Sequence, residues 1–492
     1  MSTACQASQM NVLLINPPMS LDTAPRFPSF GMAYLVQELK KYGHSVEYLD
    51  VDACRYSRSE VVELIERSQP DIVGIGGLVT VYPYLHWLVP EIQRLKPGAP
   101  IILGGPVASS LREICFERFA IDFMVIGEGE VTLLELLQQL QGDRKFNAVK
   151  GIGFRENGRV VFTPDRPLMG SLDNLPRFDD TLFPMEKLLA NSGGIFQIHT
   201  QRGCPSNCGF CFNAFRVVGK NVRYRRVRDV VDEIKYFKEK YREKITLFPL
   251  TGECITMNKP WILDFCQTLL RENLNINYRV TSRADTLDEE RLEWMAKSGC
   301  RSISIGIESG SDKILKLMKK GATVEKGRRA IALAKKYIPS LEISIMLGYV
   351  GEDRETLAET KRFCKEIGVK PLFFHATPFP GTDLYRLALA KDKIGDEETY
   401  RMQLGLMSIL RDSINLTDMP DKEAAREIGK LISEVNRHYL WRDVSSSETW
   451  RKMWLKARRD GLGKTVTKAL DVLKKKLQPD SGASAGQPAS GR

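Results

Sequence analysis

The chain has 492 residues, 43% hydrophobic and 27% charged, a composition of folded, water-exposed domains with room for two or three of them. No apolar run approaches the roughly 18 to 20 residues that a bilayer crossing takes, and the N-terminus lacks the basic and apolar regions of a secretory signal, so a cytoplasmic location is expected. The net charge of +11 is uneven: residues 441–477 hold eleven Lys and Arg against four Asp and Glu, which leaves the rest nearly balanced and argues against a nucleic-acid partner.

Residues 11–15, 45–49, 71–76, 99–103 and 122–126 are short apolar runs separated by stretches of helical periodicity. That alternation predicts a doubly wound α/β domain with a parallel sheet over residues 1–150. Such sheets bind ligands beyond the carboxyl ends of their strands. Those ends carry Asn16 and Pro17, then Gly76 and Gly77, then Gly104 and Gly105, then Gly127, Glu128 and Gly129. Glycine there lets backbone approach a large flat or phosphate-bearing ligand, although each cluster alone is equally a turn. A dinucleotide site needs Gly-x-Gly-x-x-Gly opening the first helix, and Asn16, Pro17 and Pro18 do not supply it. Between residues 151 and 184, Asn157 and Gly158 separate two alternating runs and predict a hairpin with a two-residue turn, and the Pro- and Asp-rich stretch 173–184 reads as a linker.

Residues 195–200 predict a buried strand that runs into Gly203, Cys204, Pro205, Ser206, Asn207, Cys208, Gly209, Phe210 and Cys211. Thiolates at i, i+4 and i+7 can converge on one soft metal centre. Three ligands leave one iron of a 4Fe-4S cluster open, whereas structural zinc takes a closed set of four. No second Cys/His pair follows at zinc-finger spacing, and the other seven cysteines are scattered singly, as reduced thiols are. Strand-like runs at 195–200, 245–250, 275–280, 302–307, 341–347 and 372–376 alternate with helical ones over residues 185–395, which predicts a closed or partly closed barrel with its site at the C-terminal face. Gly252 and Glu253 follow the second run, Ser282 and Arg283 the third, Glu308 and Ser309 the fourth, and Gly348 the fifth. An acid there suits an ammonium group, and a carboxylate with hydroxyls suits ribose. Arg283 either forks to a carboxylate or closes a salt bridge at the barrel mouth.

The Cys-x3-Cys-x2-Cys loop, with Phe210 before the last Cys, resembles the signature of the radical S-adenosylmethionine superfamily. Gly252 and Glu253 are similar to that family's Gly-Gly-Glu element, with Thr251 in place of the first Gly. Gly306 to Ser309 resemble its ribose-contacting motif, Gly348 its glycine near the adenine, and Pro378, Phe379, Pro380, Gly381 and Thr382 a run common in cobalamin-linked members. As a set and in order, the glycine clusters of the first domain resemble the cobalamin-binding domain that precedes many such cores. The resemblance implies a 4Fe-4S cluster on Cys204, Cys208 and Cys211. It implies S-adenosylmethionine placed by Phe210, Gly252, Glu253, Ser282, Arg283, Glu308, Ser309 and Gly348. It also implies cobalamin seated by Asn16, Pro17, Gly76, Gly77, Gly104, Gly105, Gly127, Glu128 and Gly129. None of the five histidines (His44, His86, His199, His375, His438) stands in the Asp-x-His-x-x-Gly setting of methionine-synthase-type domains, so cobalt would carry no protein histidine; loss of the cofactor stays open.

The implied chemistry is one-electron cleavage of S-adenosylmethionine to a 5'-deoxyadenosyl radical, fed by a donor such as flavodoxin or ferredoxin. The first expectation is methylation of an unactivated carbon in a biosynthetic pathway. The second is an oxidase or oxidative cyclase acting on a tetrapyrrole, of the bacteriochlorophyll type, or on a lipid. The third is a cofactor-binding sensor, against which the intact Glu253 and Glu308 elements argue.

Residues 396–477 read as helical, with apolar spacings of three and four over 397–411 and 421–440, either a cap over the barrel mouth or a packing appendage. Trp450, Met453, Trp454 and Ala457 share one face of a basic amphipathic stretch that rests on an anionic membrane or docks on its own protein. A large apolar organic substrate would suit the membrane alternative. Residues 478–492, rich in Ser, Gly, Ala and Pro, are expected to be disordered. The expected fold is thus α/β: a doubly wound parallel-sheet domain, a partial (β/α)6 barrel and a helical C-terminal region.

Overall fold

The computed structural model describes residues 9–20, 23–211, 221–405 and 414–445. Five parallel strands form the first sheet, β1 (Asn11–Asn16), β2 (Ser45–Asp50), β3 (Ile72–Gly76), β4 (Ile101–Gly104) and β5 (Phe123–Val125), in the order β2-β1-β3-β4-β5. β1, β3, β4 and β5 are largely apolar on both faces because helices cover both, whereas the edge strand β2 exposes Glu47. Val36, Leu39, Leu133 and Leu137 from helices Phe30–Lys41 and Gly129–Gln141 close one side, and Leu85, Leu88, Ile92 and Phe116 from Tyr82–Leu95 and Arg112–Arg118 close the other. The strand order reverses between β1 and β3, which opens a crevice at their carboxyl ends.

The hairpin β6 (Ile152–Glu156) and β7 (Arg159–Phe162) extends this sheet by two antiparallel strands beyond β5. Its turn places both Asn157 (φ 51°) and Gly158 (φ 78°) in the left-handed region, as a type I′ turn requires. The stretch 173–184 is packed rather than a free tether: Phe178 stacks on Phe183 with ring centroids 5.3 Å apart and also meets Phe30 and Phe196.

The second sheet is all parallel, β8 (Ile198–His199), β11 (Phe248–Thr251), β12 (Tyr278–Arg283), β13 (Cys300–Glu308), β14 (Ser340–Leu347) and β15 (Leu372–His375), side by side in that order. Among the described residues no pairing joins β8 to β15, so the barrel is partial. Three strands of this sheet, β8, β11 and β12, start three residues after their apolar runs. Residues 195–197 contribute only the bridge Ile195–Leu247, after Gly193 and Gly194 turn the chain at positive φ. β12 starts three residues late and carries Thr281, Ser282 and Arg283, because their backbone pairs with Ser304, Ile305 and Gly306 of β13 whatever their polarity. A short ribbon, β9 (Gln201–Arg202) with β10 (Arg223–Tyr224), pinches the base of the cysteine loop.

Helix Glu397–Leu404 returns to the first sheet's helices, where Tyr82 Oη donates to Glu398 at 3.0 Å. Helix Asp421–Ser445 lies along Arg354–Glu366 through Ile428, Leu431, Val435 and Tyr439. The amphipathic segment with Trp450 and Trp454 and the tail 478–492 lie outside the described residues. Among the described residues, no helix is long and apolar enough to cross a membrane.

Candidate functional site

The cysteine loop leaves the ribbon at Gly203, whose φ of 92° excludes most side chains, and is held by its backbone. Gln201 Nε2 donates to Gly203 O (3.0 Å), Gly209 N to Met318 O (2.9 Å), Leu384 N to Gly209 O (2.9 Å) and Cys211 N to Cys208 O (3.1 Å). Cys208 is buried, and Cys204 and Cys211 are half-buried; none of the three is in a disulfide. Among the described residues, no group of three His, Cys, Asp or Glu side chains stands close enough to hold a metal ion, so the three thiols share one loop without being gathered as ligands. Burial pushes the Cys208 thiol up, and the cations of Lys320 and Arg283 pull it down. Arg283 Nη1 lies 3.5 Å from Cys208 Sγ. Three soft sulfur donors on one loop, with two fixed cations beside Cys208, suit an anionic iron–sulfur cluster.

Next to this loop, Gly252 lets the end of β11 press on β9: a β-carbon there would lie 2.7 Å from Gln201 Cβ. Glu253 follows, and its Oε2 is buried with no hydrogen-bond partner among the described residues, as is Gln201 Oε1. Burial raises the Glu253 carboxyl, partly offset by the backbone N–H groups of Glu253 and Gly203. Two unpartnered acceptors beside Gly203 match a primary ammonium, which carries three donors and no acceptor. The residues present therefore fit the amine end of S-adenosylmethionine.

The remaining expected contacts divide. Glu308 reaches the mouth with φ 74°, a strained value for a side-chain-bearing residue, and its Oε1 accepts from Lys320 Nζ at 2.8 Å. Arg283 does find a carboxylate, but it is Asp285, gripped through Nε and Nη2 at 2.9 and 3.0 Å. The hydroxyls of Ser282 and Ser309 do not face the mouth. Ser282 is consumed by Thr256 (2.6 Å) and Thr286 (3.2 Å), and Ser309 by Thr360 (3.2 Å) and the N–H of Ser311 (3.1 Å). Gly348 N binds Glu352 at 2.6 Å, and the Phe210 ring meets Tyr349 edge-on. Beyond β14 and β15 opens a cleft of about 780 Å³ lined by Gly348, His375, Asn415, Ala424, Ile428 and Ile432. Gln201, Lys320, Asp285 and Tyr349 carry no sequence signal of their own; Lys320 and Tyr349 reach the site through partners distant along the chain, and Gln201 and Asp285 through Gly203 and Arg283, two residues away.

At the first sheet, Gly77 and Gly105 touch: Val107 N donates to Gly77 O at 3.1 Å, and a β-carbon on Gly105 would lie 2.9 Å from that oxygen. Gly127 N binds Ser109 Oγ at 3.2 Å. Met32 fills the space beside Gly76, and Leu35 that beside Gly129, whereas a β-carbon on Gly104 would meet nothing nearer than 3.9 Å. Asn16 and Pro17 are buried, and Asn16 Nδ2 is tied to Asp50 Oδ1 at 2.8 Å. Gly104 thus has room for a side chain at its strand end, where Gly76, Gly77 and Gly105 have none. Of the histidines, His44 accepts from Met10 N (3.4 Å), His86 lies against Glu398 (3.3 Å), and His199 is buried under Tyr34 (3.4 Å).

Glu128 does something else. Its carboxylate takes Arg202 Nη1 (3.3 Å), Arg223 Nη1 (2.9 Å) and the N–H of Met169 (2.9 Å), while Arg202 Nη2 pairs with Glu130 at 2.6 Å. Burial alone would raise the Glu128 carboxyl, but Arg223, Met169 N–H and Arg202 hold it below its ordinary range. Burial, then Arg202 and Arg225, push His199 well below the usual imidazole value, so it is neutral. This seam joins the end of β5 to the ribbon that carries the cysteine loop, a charge match between Glu-x-Glu and flanking arginines that pairing by sequence alone leaves ambiguous.

Residues 198–364 match the Radical SAM superfamily, and residues 21–137 match the B12 binding domain. An uncharacterised methyltransferase of Pyrococcus horikoshii is 30% identical over 78% of this chain and 84% of its own length. The anaerobic magnesium-protoporphyrin IX monomethyl ester cyclase of Rubrivivax gelatinosus is 27% identical over 87% of this chain and 77% of its own. The fold is similar to that of the cobalamin-dependent S-adenosylmethionine radical enzyme OxsB, with a TM-score of 0.70 at 19% identity over 96% of this chain and 74% of that one. The chain belongs to the radical S-adenosylmethionine superfamily, with a B12-binding domain ahead of its core, and its cofactors are a 4Fe-4S cluster, S-adenosylmethionine and cobalamin.

Proposed function

We propose that this enzyme methylates an unactivated carbon of an organic substrate by a cobalamin-dependent radical route. The observation that carries the reading is the seam. Arg202 stands two residues before Cys204 and pairs at 2.6 Å with Glu130, which follows β5, so the strand ends of the B12-binding sheet and the cysteine loop lie side by side. When bound, the cluster supplies one electron to S-adenosylmethionine, and cobalamin carries a methyl group.

The chain's own residues have stated tasks in this reading. Cys204, Cys208 and Cys211 hold the cluster, and Arg283 and Lys320 offset its negative charge. Glu253 and Gln201 take the amine of S-adenosylmethionine. Glu308, oriented by Lys320, lies where the ribose hydroxyls belong, and Gly348 borders the adenine. The loops at Gly76, Gly104 and Gly127 seat cobalamin, with no histidine on cobalt. The cleft by Ile428 and Ile432, with Asp392, Lys393 and Asp421 on its rim, supports a substrate with an apolar body and a polar end. A cytoplasmic redox protein of flavodoxin or ferredoxin type would supply the electron. Membrane contact through residues 441–477 is a separate proposal, tested by co-sedimentation with anionic vesicles.

The likeness to the cyclase favours a second reading, oxidation or cyclisation without methyl transfer. Anaerobic, cluster-reconstituted full-length protein given cobalamin, S-adenosylmethionine and a reductant separates the two. Methyl transfer expects S-adenosylhomocysteine, formed only with cobalamin, together with 5'-deoxyadenosine. 5'-Deoxyadenosine without S-adenosylhomocysteine would replace the methyltransferase reading by the oxidative one, and neither product would leave a cofactor-binding sensor.

A further inference from the structure

Tyr349 occupies a place built for an apolar ring. It is 1% exposed and packs in an apolar cluster with Ile314, Met318 and Leu384. Its backbone is fixed, because the Glu352 carboxylate accepts from the N–H groups of both Gly348 (2.6 Å) and Tyr349 (3.3 Å). Its hydroxyl nonetheless has no hydrogen-bond partner among the described residues. A buried O–H left so is costly, and native proteins seldom keep one without a use for it.

The hydroxyl is aimed at the cysteine loop. A β-carbon on Gly209 would lie 3.2 Å from Tyr349 Oη, and the Cys208 thiol is among the groups that act on it electrostatically. Asp383, the nearby carboxylate, is already engaged by Lys319 Nζ at 2.7 Å and by Arg386. Two fixed cations also stand by Cys208, Arg283 at 3.5 Å and Lys320. Tyr349 would complete that surround with a neutral donor.

We propose that Tyr349 donates a hydrogen bond to a sulfur of the cluster held by Cys204, Cys208 and Cys211, and so raises its reduction potential. The proposal rests on the assignment of the cysteine loop as the cluster site. No proton is transferred: the O–H stays on the phenol, and the hydrogen bond favours the reduced, more negative cluster over the oxidised one.

The test compares wild type with Tyr349→Phe, which removes one oxygen atom and leaves the ring packing. Full-length protein is reconstituted anaerobically, its iron and sulfide are measured, and its midpoint potential is read by a dye-mediated titration followed by electron paramagnetic resonance. Equal cluster content is expected, with a lower midpoint potential in Tyr349→Phe and a smaller reduced fraction at a fixed applied potential. In D2O-exchanged samples, one exchangeable-proton coupling to the reduced cluster that wild type shows is expected to be missing from the variant, over those of groups such as Arg283 that both retain. Equal potentials and equal proton couplings would overturn the proposal. A wild type with no cluster would overturn the cysteine-loop assignment beneath it, and with it the proposal.

Discussion

Two sets of buried polar groups flank the cysteine loop. In the seam, Glu128, Glu130, Arg202 and Arg223 are joined by ion pairs of 2.6 to 3.3 Å. Around the cradle, Glu253 Oε2, Gln201 Oε1 and Tyr349 Oη have no hydrogen-bond partner among the described residues. The difference separates two uses of burial. Charges that satisfy one another are architecture, and removing one strands the rest. Acceptors and donors left unsatisfied at the mouth of a barrel are places for a ligand.

The largest expected effect falls on the seam. Arg202→Ala leaves Glu130 buried without its cation and Glu128 with one fewer, and should cost about 3–5 kcal/mol, read as a fall in the thermal midpoint. An unchanged midpoint would break the comparison, because the pairs would then be ornamental.

Glu352 sharpens it. Its Oε1 is also unpartnered, yet the residue is fully buried and its carboxyl is raised to about 8, by burial against the opposing N–H groups of Gly348 and Tyr349. Burial favours the protonated, neutral form of this carboxyl, so its unmet hydrogen bond leaves no buried charge. With its folded value above its unfolded one, its contribution to stability is fully present below the ordinary carboxyl range and is lost as pH rises through about 8. Wild type should therefore lose about 2–3 kcal/mol between ~pH 6 and ~pH 8 that Glu352→Gln does not lose, seen in thermal midpoints across that range.

Glu253→Gln should weaken S-adenosylmethionine binding about 10- to 100-fold, or about 1.4–2.7 kcal/mol by calorimetry, without lowering the thermal midpoint. A variant that binds normally but melts early would move Glu253 from the cradle to the architecture. The smallest effect is expected at Ser309→Ala. It should cost about 1 kcal/mol of stability through the lost Thr360 and Ser311 contacts, and should change S-adenosylmethionine affinity less than about twofold.

The sequence reveals what local pattern encodes. Alternating apolar runs locate the strands of both sheets to within a few residues, Asn157 and Gly158 specify their turn, and three thiols on one loop announce the metal chemistry. Partners distant along the chain are not local pattern. Ser282 and Ser309 stand at strand ends as expected, but nothing in their neighbourhood shows that Thr256 and Thr360 would consume their hydroxyls. Glu128 lies in a glycine-rich turn suited to a ligand, and only the fold brings Arg202 and Arg223 to claim it. Arg283 is fork-shaped for a carboxylate, and the structure supplies one two residues away, in Asp285.

That the B12-binding strand ends and the cysteine loop form one site is tested most directly by electron paramagnetic resonance of cob(II)alamin added to anaerobic, cluster-reconstituted full-length protein, beside a free-cobalamin control. A bound spectrum without nitrogen splitting from an axial ligand is expected, with relaxation that quickens when the cluster is reduced. The spectrum of free cobalamin, or a nitrogen splitting from a protein histidine, would contradict it.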